Sequence, residues 1–118
     1  MTNLEKLSAV ECLRRSRHQL WLQQLRAEVA ERLLPSCVVY LFGSRARGDW
    51  DGFSDTDLLA VAATQELAEK QADHLRAGLV GDDVIAISIE YWQAIGEKSS
   101  PYWRAIKAQA QLLAGLKL

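Results

Sequence analysis

From Leu4 to Leu34 apolar residues return near the helical period, at Leu13, Leu20 with Trp21, Leu25, Val29 and Leu33, with charges between them. A stripe of that kind predicts a long amphipathic helix. Thr2 with Glu5 and Ser8 with Glu11 both have capping-box spacing. The stripe is clearer after Ser8, so the helix is expected to start there, and Pro35 ends it. Cys37-Val38-Val39-Tyr40-Leu41-Phe42 is a continuous apolar run, the mark of a strand buried on both faces. It stops at Gly43-Ser44. Arg45 to Ser54 is polar and holds Gly48 and Gly52, which predicts a short helix or turn followed by a loop.

A second strand is expected over Asp55 to Val61. Glu66 to Leu79 follows as a helix, capped by Thr64, with Leu67, His74, Leu75 and Leu79 toward the core. Gly81 stops it, and Val84 to Ile89 reads as a third strand. Ser100 and Pro101 open a last helix whose apolar face is Trp103, Ile106, Ala110 and Leu113, with Gly115 ending it. This order predicts a mixed α+β fold: a small mixed sheet of at least three strands with one compact layer of helices on it. At 118 residues a single domain is expected over 1–118, with an N-terminal helix over 1–34, a strand-helix core over 36–90 and C-terminal helices over 91–118.

Composition adds exclusions. Hydrophobic residues at 49% and charged ones at 25% are ordinary for a globular chain with a core of its own. The net charge of -1, from 14 basic and 15 acidic residues, gives no basic footprint for strong nucleic-acid binding. No apolar run approaches the roughly 18 residues of a membrane span. The N-terminus lacks the apolar core of a signal peptide, so a cytoplasmic protein is expected. Cys12 and Cys37 have apolar neighbours and no CxxC spacing, and are expected to be buried thiols in a reducing compartment.

The chemistry is concentrated between Leu41 and Val61. Gly43 after a buried strand lets the backbone turn sharply and approach a ligand. N–H groups opening the next short helix attract phosphate, Ser44 adds a hydroxyl, and Arg45 and Arg47 can contact the same oxygens. An ordinary strand-to-helix turn would carry the same Gly-Ser pair. Asp55 and Asp57 are the sharper signal. Alternate residues of a strand share a face, so the two carboxylates project together. Two such acids repel unless a cation sits between them, and Mg²⁺ is typically held by one or two carboxylates plus substrate phosphates. The competing reading of Ser54-Asp55-Thr56-Asp57 is turn chemistry before the strand. If the two strands are neighbours, cradle and acids face one pocket, a geometry suited to nucleotidyl transfer.

Phe42-Gly43-Ser44-Arg45-Ala46-Arg47-Gly48, with Ser54-Asp55-Thr56-Asp57-Leu58-Leu59 after it, resembles the signature of the DNA polymerase β-like nucleotidyltransferase superfamily. In particular it resembles the small prokaryotic branch, the minimal nucleotidyltransferases. The resemblance implies that Gly43 and Ser44 bind a nucleoside triphosphate, ATP by preference, and that Asp55 and Asp57 bind Mg²⁺, with a second ion expected. It implies transfer of a nucleoside monophosphate to an acceptor hydroxyl, and frequent partnership with a small helical HEPN protein as antitoxin and toxin. Lacking the extra domain of larger relatives, the acceptor surface is expected to be completed by another subunit, in a homo- or hetero-oligomer. The rival expectation is a catalytically weak or inactive nucleotide-binding antitoxin that neutralises a partner by complex formation.

The family's third carboxylate has no match inside the third strand. Asp83, just before it, shares a face with Ile85 and Ile87 and is the best candidate; Asp82 or Glu90 could substitute, and Asp82-Asp83 after Gly81 could equally be a solvated turn. Arg14, Arg15 and Arg17 read as a solvated face, and His18 and His74 have no partners at ligand spacing. Asp49 and Asp51 border the loop and can steer cations, while Trp50 and Phe53 are expected to pin it to the core. Tyr91-Trp92 and Tyr102-Trp103 are core or partner surface.

Overall fold

The structure, a computed structural model, describes residues 3–48 and 54–116, with side chains from Ser8 onward. Along the chain run α1 (Asn3–Glu31), β1 (Cys37–Phe42), α2 (Ser44–Arg47), β2 (Asp57–Ala62), α3 (Gln65–Ala77), β3 (Asp83–Ser88), α4 (Ile89–Ala94), α5 (Pro101–Gln109) and β4 (Gln111–Ala114). The strands form one four-stranded mixed sheet in the order β3-β2-β1-β4. β1 is antiparallel to both its neighbours, and β2 and β3 are parallel. A parallel pair needs a crossover, and α3 provides it.

Helices cover both faces of the sheet, where a single layer was expected. β1 is buried at all six positions. Its Val39 and Leu41 join Leu58, Ala60 and Ala62 of β2 under α1 and α3, through Leu25, Val29, Ala68, Ala72 and Leu75. Val38, Tyr40 and Phe42 join Leu59, Val61 and Ile87 under α4 and α5, through Trp92 and Ile106. Strands apolar on both faces cannot leave one of them in water, so the second layer follows from the same pattern that marked them as buried.

The C-terminal segment departs from expectation. The last helix is capped as read, Ser100 Oγ accepting from Trp103 N at 3.3 Å, but it stops at Gln109. Residues 111–114 form β4 instead, pairing Leu41 with Gln111 and Tyr40 with Leu112. Without it, the outer edge of β1 would be a buried row of unpaired backbone groups, a cost that outweighs helix propensity of a few tenths of a kcal/mol per residue. Leu113 thereby turns to the α1/α3 face, while Ala110 packs on the other. At Gly115, with φ of 100°, a side chain would run into the Cys37 carbonyl, so the strand ends there.

α3 is capped by Thr64, whose Oγ1 accepts from Leu67 N at 3.1 Å. Its buried stripe is Ala68, Gln71, Ala72 and Leu75, whereas His74 is exposed and Leu79 is 91% exposed in a turn with φ of 55°. The helix stops two residues early, and Val80 takes the buried place assigned to Leu79. Gln71, fully buried, is a latch between α3 and the segment that follows α1: Oε1 accepts from Leu34 N at 2.7 Å and Nε2 donates to Arg32 O at 3.0 Å. Gln71→Ala is expected to leave both backbone groups unpaired and cost about 1–3 kcal/mol. Urea denaturation measures it, and an unchanged midpoint contradicts the latch.

α1 starts at Asn3, ahead of Ser8, and among the described residues its packing against the core begins at Trp21. Val10, Leu13 and Leu20 are 64%, 55% and 66% exposed, and Cys12 is exposed too, so only Cys37 is the buried thiol expected. The projecting helix explains a longest dimension of 56 Å and a radius of gyration of 16.0 Å, against roughly 13.5 Å for a compact chain of this length. Among the described residues no helix is long and apolar enough to cross a membrane.

Candidate active site

Phe42 ends β1, Asp57 begins β2 and Asp83 begins β3, and the three stand level across the sheet: Phe42 pairs with Asp57, and Asp57 with Asp83. Alternation puts Asp57 on the same face as Leu59 and Val61, under α5. Asp55 lies just ahead of the strand, outside the ladder, yet lines the same cleft. That cleft, about 360 Å³, is bounded by Gly43, Ser44, Arg47, Asp55, Asp57 and Asp83 on the sheet side, and by Tyr102, Ala105, Ile106 and Gln109 of α5.

Gly43 makes the close approach possible. Its φ of 79° and ψ of -158° belong to a region open essentially to glycine alone, and an added Cβ would strike the Asp57 carboxylate. The turn then winds into α2: Ala46 N and Arg47 N donate to Gly43 O at 3.1 and 3.0 Å, and Gly48, at φ of 86°, closes it by donating to Ser44 O at 3.0 Å. Ser44, the first residue of α2, lines the same cleft as the acids. α2 is held from outside by Gln111 of β4, whose Nε2 donates to Ala46 O at 2.9 Å.

The site is electrostatically tense. Asp57 is half-buried, and burial raises its pKa above the ordinary carboxylate value; Asp83, Asp55 and Asp82 push the same way, and Arg47 opposes them. Like charges gathered in this way are what a cation relieves. Among the described residues no three of His, Cys, Asp and Glu come close enough to form a ready metal cage. Carboxylate oxygens beside a glycine turn are donors of the kind Mg²⁺ takes.

Arg45 departs from its expected place with Arg47. Arg47 lines the cleft and reaches Gln109 Oε1 at 3.5 Å. Arg45 turns the other way: its Nε donates to Ser54 O at 3.2 Å and its guanidinium lies 4.5 Å from the centre of the Trp21 ring. Asp82 and Glu90 are not on the cleft wall, leaving Asp83 as the third acid there. His18 stacks on Trp21 at 5.4 Å, and burial, with Arg45 beside it, lowers its pKa. Asp49, Trp50, Asp51 and Phe53 lie outside the described residues. The α5 wall escaped sequence reasoning. Ser100-Pro101 marked the helix, but nothing in Tyr102 or Gln109 says which face of the sheet α5 covers.

Residues 22–104 match the model of the nucleotidyltransferase domain family. The chain belongs to that family. The matched span opens where α1 first touches the sheet and takes in every cleft residue but Ala105, Ile106 and Gln109. A search of curated proteins finds no match. Among solved structures the chain is similar to one described as "Crystal structure of the toxin-antitoxin with AMP-PNP", with 21% identity and a TM-score of 0.48 over 80% of this chain and 74% of that one. In this nucleotidyltransferase domain, the turn and the acids that resemble the family signature share one cleft.

Proposed function

We propose that this nucleotidyltransferase domain is a Mg²⁺-dependent enzyme that moves AMP from ATP to a hydroxyl group on a partner protein. The observation that carries this reading is the convergence of Gly43, Asp57 and Asp83 at one end of the sheet, with Asp57 against the glycine turn. Asp55 and Asp57 would hold the metal, and Asp83 would be the further carboxylate available to a second ion. Bound Mg²⁺ supplies neutralisation of the charge on the departing pyrophosphate and lowers the pKa of the attacking hydroxyl. Ser44, the leading N–H groups of α2 and the Arg47 guanidinium hold the triphosphate oxygens. The acceptor oxygen attacks the α-phosphorus, the bond to the β-phosphate oxygen breaks, and the hydroxyl proton passes to the Asp83 carboxylate. Tyr102 and Ile106 form the wall against which the nucleoside rests.

The acceptor belongs to a small helical protein of the HEPN kind, as the signature resemblance implies, in the cytoplasm. Val10, Leu13 and Leu20, left open on the projecting half of α1, offer an apolar surface for such a partner. A second reading takes support from β3, which has no carboxylate beyond Asp83 at its first position: a nucleotide-binding antitoxin that neutralises its partner by complex formation alone. One experiment separates the two. With ATP labelled at the α-phosphate, Mg²⁺ and the helical partner, label is expected on the partner and is expected to vanish with EDTA. A stable complex without label selects the second reading, and failure to bind Mg²⁺-ATP at all removes both.

A further inference from the structure

We infer that Asp82 is a positioning residue that fixes Asp55 relative to Asp57, an inference that rests on the nucleotidyl-transfer reading above. Thr56 is the residue between the two acids, and it is 9% exposed. Its backbone is gripped from the loop before β3. Its N–H donates to Asp82 Oδ2 at 2.7 Å, and its carbonyl accepts from Asp82 N at 2.8 Å and Asp83 N at 3.3 Å. The β2–β3 ladder begins one residue later, at the pair of Asp57 and Asp83. Asp55 therefore has no strand partner to orient it. It stands between two clamps: the Asp82 carboxylate at Thr56, and Arg45 at Ser54, bonded at 3.2 Å.

Asp82 and Asp83 divide the work by direction. Asp83 faces the cleft with Asp57, whereas Asp82 lines a separate cavity of about 270 Å³ on the α1 side, with Trp21, Leu25 and Gly81. Gly81 sets up the divergence, for its φ of 79° makes the turn, and a Cβ there would lie 2.7 Å from Leu58 Cδ1. The Asp82 carboxylate is thus engaged by backbone, through a charge-assisted bond, and is directed away from a cation in the cleft. Groups that hold metal ligands in place typically change metal affinity or activity 10–100-fold when lost.

The test is the Mg²⁺ dependence of ATP binding by the full chain, which needs no knowledge of the acceptor. Wild type, Asp82→Ala, Asp82→Asn and Asp57→Asn are compared. Asp82→Asn keeps an acceptor oxygen for the Thr56 N–H and is expected to stay close to wild type. Asp82→Ala is expected to raise the Mg²⁺ concentration at half-saturation about 10–100-fold, with a lower thermal midpoint from the unpaired Thr56 N–H but a folded chain at the assay temperature. Should alanine prevent folding, Asp82→Glu takes its place, its longer arm carrying the carboxylate past the Thr56 N–H, with the same loss expected. Alanine or glutamate at wild-type Mg²⁺ dependence overturns the inference. So does Asp82→Asn falling as far as Asp57→Asn, since the charge rather than the bond would then matter. Absence of Mg²⁺-dependent ATP binding in the wild-type arm removes the underlying reading, a failure told apart from that of Asp82 alone.

Discussion

Gly43→Ala is expected to abolish Mg²⁺-dependent ATP binding and transfer, with activity down at least about 100-fold, and to destabilise the fold by roughly 1–3 kcal/mol. Two causes act together. The φ of 79° with ψ of -158° is closed to residues with a side chain, and the new methyl would collide with the Asp57 carboxylate. Relief must come from moving the acid or unwinding the turn, and either one separates the proposed phosphate cradle from the proposed metal ligands. Gly48→Ala is the control. Gly48 also has positive φ, at 86°, but among the described residues nothing lies within 4 Å of an added Cβ, so a cost of roughly 1–2 kcal/mol with activity retained is expected. Equal loss of activity in both variants would show that α2, rather than its approach to Asp57, is what matters. Urea melts and transfer of labelled ATP give the two readings.

Asp57→Asn is expected to do the opposite to stability while also removing activity. Burial, Asp83, Asp55 and Asp82 hold the Asp57 pKa above its unfolded value, so the folded protein binds the proton more readily than the unfolded chain. The stabilising contribution of that proton is complete below the unfolded pKa and is lost as pH rises through the folded one. At neutral pH the metal-free protein therefore carries a charge that Arg47 only partly offsets and that asparagine lacks. The variant is expected to melt higher than wild type at pH 7, with the gap closing as pH falls below the ordinary carboxylate range. Adding Mg²⁺ and ATP is expected to raise the midpoint of wild type and not of the variant. Transfer is expected to fall at least about 100-fold, because a metal ligand contributes several kcal/mol of charge stabilisation. A variant that melts lower than wild type at pH 7, or that keeps wild-type transfer, contradicts the placement of Asp57 at the centre of the site.

Much of this was legible in local pattern. Cys37–Phe42 is the strand its unbroken apolar run predicts, and Thr64 and Ser100 cap the helices they were expected to cap. Gly43-Ser44 and the Asp55-Thr56-Asp57 triplet could be singled out because glycine after a buried strand and paired acids before one are costly unless used. Where local pattern misled, a distant partner decided. Ala110 to Gly115 has helix-forming residues, and it became a strand because β1 offered an open edge. Leu79 fits the helical period, yet Gly78 and Leu79 turn the chain so that Val80 is buried instead. Arg45 and Arg47 look alike in sequence, and only the position of Trp21 and Ser54 sends one of them away from the cleft.

The sequence by itself singled out Gly43, Ser44, Asp55 and Asp57 as candidates for the chemistry, because glycine's backbone freedom, the charge of two neighbouring aspartates and the apolarity of the strands are properties of the residues themselves. Tertiary structure alone decided that Asp83 stands level with Asp57, that α5 walls the cleft and that Asp82 grips Thr56. Those depend on strand order and register, which arise from contacts between segments far apart in the chain and leave no trace in the spacing of any one of them.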